Sequence, residues 1–159
     1  MRNFCAYVCL LLLLNFKLVR GGVVPFFRYY NSRIADHFYT RNFQELWFGR
    51  GGWKFERVEC RIHSSPARGT VPLYRYWGNR DHFYTTNKRE IGTVVPGQVG
   101  KYGFRSEGVA GYCYPRYRSG LIPLYRFYHA GLSNHFYTTS YREGRHYNFE
   151  GVACYVYRR

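Results

Sequence analysis

The sequence predicts an all-β protein of β-trefoil-like architecture, in which three four-stranded repeats surround a pseudo-three-fold axis. The first observation is a tetrapeptide, His-Phe-Tyr-Thr, that begins at His37, His82 and His135. The second is its constant context, because each copy follows a proline with an aromatic, arginine-containing segment and precedes an aromatic-x-Phe step. The leading prolines recur at intervals of 47 and 51 residues. Self-similarity on that scale indicates a repeat architecture.

Each repeat is expected to open with a β-hairpin. Its first strand is the aromatic segment after the proline, since proline is tolerated at the start of a strand. The segments are Pro25–Tyr30, Pro72–Trp77 and Pro123–Tyr128. Turn residues follow, and the aromatic and β-branched His-Phe-Tyr-Thr segment then supplies the second strand.

Two more strands are expected to close each repeat, which makes twelve strands in total. In repeat 1 they are centred on Trp53–Phe55 and Val58–Ile62, and in repeat 3 on Tyr147–Phe149 and Ala153–Tyr157. Short, regularly spaced strands indicate an all-β barrel or sandwich. A closed trefoil has no free sheet edge, whereas the alternative, a three-bladed propeller, has a poorly filled centre. No stretch keeps a helical period, which excludes a coiled coil and an α-solenoid.

The first 21 residues are predicted to be a signal peptide, so we expect a secreted, extracellular protein. Arg2 gives a positive start, Cys5–Leu14 is apolar, and Gly21 is small enough to precede a cleavage site. The apolar run is too short to span a bilayer, so no stable membrane insertion is expected. Residues 22–159 then form a single domain. The repeats occupy residues 24–70, 71–121 and 122–159.

Composition favours an anionic partner for residues 22–159. This range has 21 basic and 9 acidic side chains, a net charge of +12, and nearly all of its cations are arginines. Arginine pairs with carboxylates, sulfates and phosphates. Nucleic acid is disfavoured by the extracellular compartment. Cys60, Cys113 and Cys154 are an odd number, so at least one thiol lacks an intramolecular partner, and their pairing stays open.

Three motifs in fixed order carry a family resemblance over residues 25–159. The closest matches are Pro72–Trp77, Asp81–Thr85 and Phe149–Ala153. They resemble a secreted repeat family, described as a domain of unknown function, with the elements Pro-x-Tyr-Arg-x-Tyr, Asp-His-Phe-Tyr-Thr and Phe-Glu-Gly-Val-Ala. The family occurs in bacterial, fungal and animal proteins, sometimes beside extracellular hydrolases. The resemblance implies a role in surface adhesion.

The repeats depart from the family pattern at three places, so sites built there are expected to be unequal. Repeat 1 has Glu56–Cys60 in place of the Glu-Gly-Val-Ala element. Repeat 2 has two extra residues, Arg105 and Ser106, before Glu107. Repeat 3 has Asn134 where the family has aspartate.

The candidate ligand-binding residues are the arginine, aspartate or asparagine, histidine and tyrosine of each hairpin. They are Arg28, Asp36, His37, Tyr39, Arg75, Asp81, His82, Tyr84, Arg126, Asn134, His135 and Tyr137. Planar polar groups beside an aromatic ring suit a sugar, and three weak sites would gain by multivalency. The sequence therefore predicts lectin-like, non-catalytic recognition of carbohydrate. The alternative is that the motif is a fold signature, whose buried arginines need acceptors such as Asp36 and Asp81.

Two further alternatives are a purely structural module and a basic protein that binds anionic polymers or microbial surfaces. The arginines outside the repeat motifs would carry the latter, and salt would weaken such binding. They are Arg41, Arg50, Arg57, Arg61, Arg68, Arg116, Arg118, Arg142, Arg145, Arg158 and Arg159.

Metal binding and catalysis are the least supported functions. The three repeated histidines could hold zinc, but their spacing is non-local and unspecific, so neither a metal nor another cofactor is predicted. The chain lacks Gly-x-Ser-x-Gly, His-Glu-x-x-His and a phosphate-binding glycine loop. Asp36 and His37 are neighbours on a strand and therefore point to opposite faces. We expect a protein that is not an enzyme.

Overall fold

The computed structural model describes residues 21–159, so the predicted signal peptide lies outside the described residues except for Gly21. This range is all-β, as predicted, with nine strands. The strands are β1 (Val23–Asn31), β2 (Asp36–Thr40), β3 (Lys54–His63), β4 (Val71–Gly78), β5 (Asp81–Thr85), β6 (Arg105–Cys113), β7 (Leu121–His129), β8 (Asn134–Thr138) and β9 (Asn148–Tyr157). Short 3-10 helices cover Phe43–Glu45, Lys101–Gly103 and Tyr141–Gly144. No helix in the described range is long and apolar enough to cross a membrane.

Each repeat contributes three antiparallel strands in the same order. The first strand pairs with the short His-Phe-Tyr-Thr strand on one side and with the third strand on the other. The predicted hairpins are therefore confirmed. In repeat 2 the turn consists of Asn79 and Arg80, whose φ angles of 55° and 66° are those of a tight type I′ turn.

The prediction of four strands per repeat is wrong, because the third and fourth predicted strands form one strand. In β3, Cys60 opposes Phe26 while Val58 opposes Phe27, so Glu59 has no partner across the ladder. Glu56 is skipped in the same way, and β6 and β9 have two irregularities at the corresponding positions. Such β-bulges bend a strand and increase its twist. One bent strand thus replaces the two that we expected, and the twelve-stranded trefoil is not reproduced.

The three repeats meet at the carboxyl ends of their third strands. His63 pairs with Tyr112, Arg61 with Tyr157, and Tyr114 with Tyr155. All nine strands therefore belong to one hydrogen-bonded sheet. A disulfide joins Cys113 of repeat 2 to Cys154 of repeat 3, while Cys60 is a buried free thiol.

The centre of the core is a triad of tyrosines, one from each His-Phe-Tyr-Thr strand. The Tyr84 hydroxyl donates to the Tyr39 carbonyl (2.9 Å) and accepts from the Tyr39 N–H (2.7 Å). Tyr137 bonds the backbone of Tyr84 in the same way, and Tyr39 bonds that of Tyr137. The six bonds run cyclically through the three repeats. They satisfy polar groups that are buried completely, as buried polar groups require.

Candidate functional site

The polar residues of the motifs meet at the contacts between consecutive repeats, which we call seam 1/2, seam 2/3 and seam 3/1. At seam 1/2, Arg75 Nη2 donates to Glu45 of repeat 1 (2.9 Å), and its Nε lies 2.8 Å from Glu107 of repeat 2. At seam 2/3, Arg126 bridges Glu90 (3.1 Å) and Glu150 (2.9 Å). Each arginine therefore joins a carboxylate of the preceding repeat to one of its own.

Seam 3/1 has the same bridge with one additional carboxylate. Arg28 donates to Glu143 of repeat 3 (2.9 Å) and to Glu56 of its own repeat (2.6 Å). A further bond of 3.0 Å goes to Glu59, which occupies a position held by alanine in the other repeats. Burial opposes the charge on Arg28, but these carboxylates outweigh it and raise the arginine pKa above its ordinary value.

Each guanidinium also lies over the phenylalanine of the preceding His-Phe-Tyr-Thr strand. Arg75 is 4.6 Å from the centre of the Phe38 ring. The equivalent distances are 5.1 Å for Arg126 over Phe83 and 5.2 Å for Arg28 over Phe136. A cation over an aromatic face is attracted by the ring quadrupole. The arginines are therefore fixed by both carboxylates and rings.

Two of the three repeated histidines pair with an aspartate of the preceding repeat. His82 Nδ1 is 2.5 Å from Asp36, and the His82 backbone N–H donates to the same carboxylate (3.1 Å). His135 has matching contacts of 2.6 and 2.9 Å with Asp81. Burial lowers the pKa of His135, but hydrogen bonds to Asp81 and Glu150 outweigh it and raise this pKa to about 8.

The third histidine has no such partner. Asn134 stands where the other repeats have aspartate, and its side-chain amide donates to Asp36 (3.0 Å). Nδ1 of His37 is buried without a hydrogen-bond partner among the described residues. Burial, together with the charge of Arg28, lowers the pKa of His37 to about 3. The repeats are thus unequal at position 134, and the buried histidines His37 and His135 also differ in pKa.

The structure brings all twelve candidate residues into this network, but it places most of them in the interior. The side chains of His82 and Tyr84 are typical, since these residues are only 7% and 1% exposed. The tyrosines contact each other, and the remaining candidates contact groups across the seams. For the candidate residues in the interior, burial of this kind favours the alternative that the motif is a signature of the fold. Direct contact of the twelve residues with a ligand stays a prediction.

The expected pairing of Asp36 and Asp81 with the arginines is wrong. These aspartates bind histidines of the next repeat, and glutamates bind the arginines. The sequence analysis missed those glutamates, although one sign was present, because each follows the threonine of His-Phe-Tyr-Thr by five residues. Thr40 donates to Glu45 (2.7 Å) and Thr138 to Glu143 (2.5 Å), and Thr85 bonds Glu90.

The expected two-residue insertion in repeat 2 is also wrong. Ser106 opposes Tyr76, as Phe55 opposes Tyr29 in repeat 1. Phe104 packs on Phe83 with a centroid distance of 5.7 Å, which is the place that Trp53 takes on Phe38. The aromatic-x-Phe step of repeat 2 is therefore displaced by two residues, and Glu107 occupies the same bulge as its counterparts.

Open clefts lie along the seams where the network reaches solvent. At seam 1/2, a cleft of about 420 Å³ is lined by polar and aliphatic groups that include Arg41, Glu45 and Glu107. At seam 2/3, a cleft of about 330 Å³ combines Glu90, Arg126, His135 and Glu150 with three aromatic rings, Phe83, Tyr102 and Phe104. Seam 3/1 has two adjoining clefts of about 340 and 530 Å³. No group of three or more metal-ligating side chains within residues 21–159 could hold an ion.

These features define an all-β protein in which polar side chains of each repeat bond to polar side chains of the next. A family model described as "Domain of unknown function (DUF5648)" matches residues 22–157, and the chain belongs to this family. No curated protein and no solved structure matches the chain.

Proposed function

We propose that this is a secreted, non-catalytic, lectin-like protein that binds carbohydrate at the seams between its repeats. We further propose that the repeats surround a pseudo-three-fold axis in a trefoil-like arrangement. The cyclic order of the tyrosine and arginine contacts supports the axis. The disulfide fits an oxidising compartment, in which such bonds persist.

The cleft at seam 2/3 is the observation that carries the sugar-binding proposal. Arg126 is bonded to both Glu90 and Glu150 on the inner side, and each of the three keeps part of its side chain in solvent. Tyr102 at the rim is 77% exposed, so its ring is free to stack on the C–H face of a sugar. Fixed planar donors and acceptors beside an aromatic ring are the usual elements of such a site.

The three seams are not equivalent in this respect. Among the described residues, no tyrosine, tryptophan or phenylalanine lines the clefts at seams 1/2 and 3/1. We therefore assign one principal sugar site to seam 2/3. His82 and His135 are each bound by carboxylates on both ring nitrogens, which is consistent with the proposed non-catalytic role.

A glycan array, followed by calorimetric titration of the best ligand, tests this proposal. We expect Tyr102→Ala to weaken binding by about tenfold or more, because this ring is the proposed stacking surface for the sugar and aromatic residues are common among binding hot spots. The matched control is Tyr117→Ala, which removes a ring that is 66% exposed and lies outside the cleft. Affinity at this site should be nearly independent of ionic strength. An array without any bound sugar would overturn the proposal and favour a structural module.

The basic alternative is a second candidate, and the arginines of seam 3/1 favour it. The larger cleft at that seam is lined by Arg57, Arg142, Arg145 and Arg159. Binding there should weaken as salt is added, unlike binding beside Tyr102.

A further inference from the structure

The clefts at seam 3/1 form one groove that is dominated by arginine. The smaller and larger clefts share Arg57, Ser140 and Arg159, so they are continuous. Four arginines line the larger cleft (Arg57, Arg142, Arg145 and Arg159), and Glu143 is the single acidic residue in its lining. The side chains of this cleft therefore have a net charge of +3 with a neutral His146.

The cations at the mouth of the groove are available for a ligand. Arg142 and Arg145 are exposed, and neither forms an ion pair with another described residue. Arg145 Nε donates to His146 Nε2 (2.9 Å), which orients the guanidinium and leaves its two terminal nitrogens free. A guanidinium in this state presents a planar fork that matches the oxygens of a sulfate or carboxylate.

Glu143 does not neutralise these free arginines, because it is already engaged. It accepts from Arg28, Arg57 and Thr138. Partial burial opposes its charge, but hydrogen bonds from Arg28 and Thr138 outweigh this and lower the pKa of Glu143 to about 2. The carboxylate therefore fixes Arg57 at the inner wall of the groove.

The excess of positive charge is larger at this seam than at the other two. At seam 2/3, Arg89, Lys101 and Arg126 exceed Glu90 and Glu150 by a single charge with a neutral His135. At seam 1/2, Arg41 and Arg75 are balanced by Glu45 and Glu107 in the cleft lining. The ladder register also places Arg57 opposite Arg28, while glycines 108 and 151 occupy the equivalent positions of the other repeats. Repeat 1 thus adds a cation at the one seam where repeat 3 supplies two unpaired arginines.

We infer that the groove at seam 3/1 binds the sulfate or carboxylate groups of an acidic polysaccharide. A continuous groove with several separate cations suits a chain with repeated charges better than a single small ion. Among residues 21–159, its lining contains no tyrosine, tryptophan or phenylalanine and only Ile122 and Pro123 as apolar residues, so it offers little that would enter a lipid bilayer. The inference rests on the proposed function in that the ligand is a glycan, but it uses a different seam.

Binding to heparin and to its desulfated counterpart tests the groove. The variant Arg142→Gln with Arg145→Gln should weaken heparin binding by about tenfold or more, because two charge-assisted contacts are lost. The control Arg68→Gln with Arg116→Gln removes the same charge from two exposed residues that lie outside the groove, and it should change affinity by less than about threefold. The desulfated chain, which keeps only its carboxylates, should bind more weakly than heparin because it has fewer charges. Unfolding curves should show that both variants fold like the parent.

Three results would overturn the inference. The first is an equal loss of heparin affinity in the two double variants, which would show that binding depends on the total surface charge and not on the groove. The second is equal binding of the desulfated chain. The third is tighter binding to phosphatidylserine vesicles than to heparin, with the same loss in the groove variant, which would identify a membrane partner. Tyr102→Ala should leave heparin binding intact, so failure of the sugar site and failure of the groove are distinguishable.

Discussion

Two of the repeated histidines have opposite pKa shifts. His135 faces the Asp81 carboxylate and has a pKa raised to about 8, whereas His37 lacks an aspartate partner and has a pKa lowered to about 3. The two residues occupy the same place in the His-Phe-Tyr-Thr motif and are both largely buried. Burial lowers both pKa values, but Asp81 and Glu150 outweigh it at His135, whereas the charges of Arg28 and Arg57 lower the pKa of His37 further. Sequence-identical motifs therefore have different electrostatic states.

This difference predicts how stability depends on pH. The pKa of His135 is higher in the fold than in the unfolded chain, so its contribution is complete below about pH 6.5 and is lost as the pH rises through about 8. We expect the free energy of unfolding to fall by up to about 2 kcal/mol over that window. Urea unfolding at several pH values measures it. Asp81→Asn should flatten this dependence and return the NMR titration of His135 to about 6.5 or below, and an unchanged titration would contradict the assignment.

At the scale of elements, the sequence predicts the hairpins because their aromatic strands are short, repeated and separated by turn residues. It does not predict the bent third strands, because an unpaired bulge residue interrupts the alternation that marks a strand. The arginines and histidines of the site stand inside conspicuous motifs. Their partners Glu45 and Glu90 lie in segments that differ between repeats, so only their constant distance from a threonine identifies them.

The tyrosine triad connects strands that do not pair with one another through their backbones. Tyr84→Phe removes the hydroxyl that bonds both the N–H and the carbonyl of Tyr39, and it leaves two buried groups unsatisfied. We expect a loss of about 2–4 kcal/mol in the free energy of unfolding. Tyr117→Phe, at an exposed ring, should change stability by less than about 0.5 kcal/mol in the same urea experiment. Equal effects of the two substitutions would exclude a structural role for the triad.

For the whole molecule, the three seams have the same design but different chemistry. Seam 1/2 is balanced in charge, seam 2/3 combines carboxylates with aromatic rings and is crossed by the disulfide, and seam 3/1 has an excess of arginine. A single molecule therefore has clefts of different chemistry between similar repeats. Multivalency in such a protein would combine unlike sites rather than three copies of one site.

The disulfide between repeats 2 and 3 predicts a measurable contribution to stability. Cys113 and Cys154 are 41 residues apart in sequence, and closure of a loop of that size restricts the unfolded chain. Reduction, or Cys113→Ser with Cys154→Ser, should lower the free energy of unfolding by about 2–4 kcal/mol. Thermal unfolding with and without reductant measures the effect. The unfolded, unreduced chain from residue 22 onward should react with one equivalent of a thiol reagent, and three equivalents would show that the bond is absent.

The cyclic order of the tyrosine contacts has a consequence for chain connectivity. The tyrosine hydroxyl of each repeat bonds the backbone of one neighbour, and the backbone of the same repeat bonds the hydroxyl of the other neighbour. The three repeats are therefore equivalent in this set of contacts. The first and last strands also lie near each other, since Val23 pairs with His63 and Arg61 with Tyr157. A circular permutant that joins these ends and opens before Val71 would retain every such contact. An isolated copy would have neither neighbour, so its tyrosine hydroxyl and the backbone groups that bond a neighbouring hydroxyl would lack these partners.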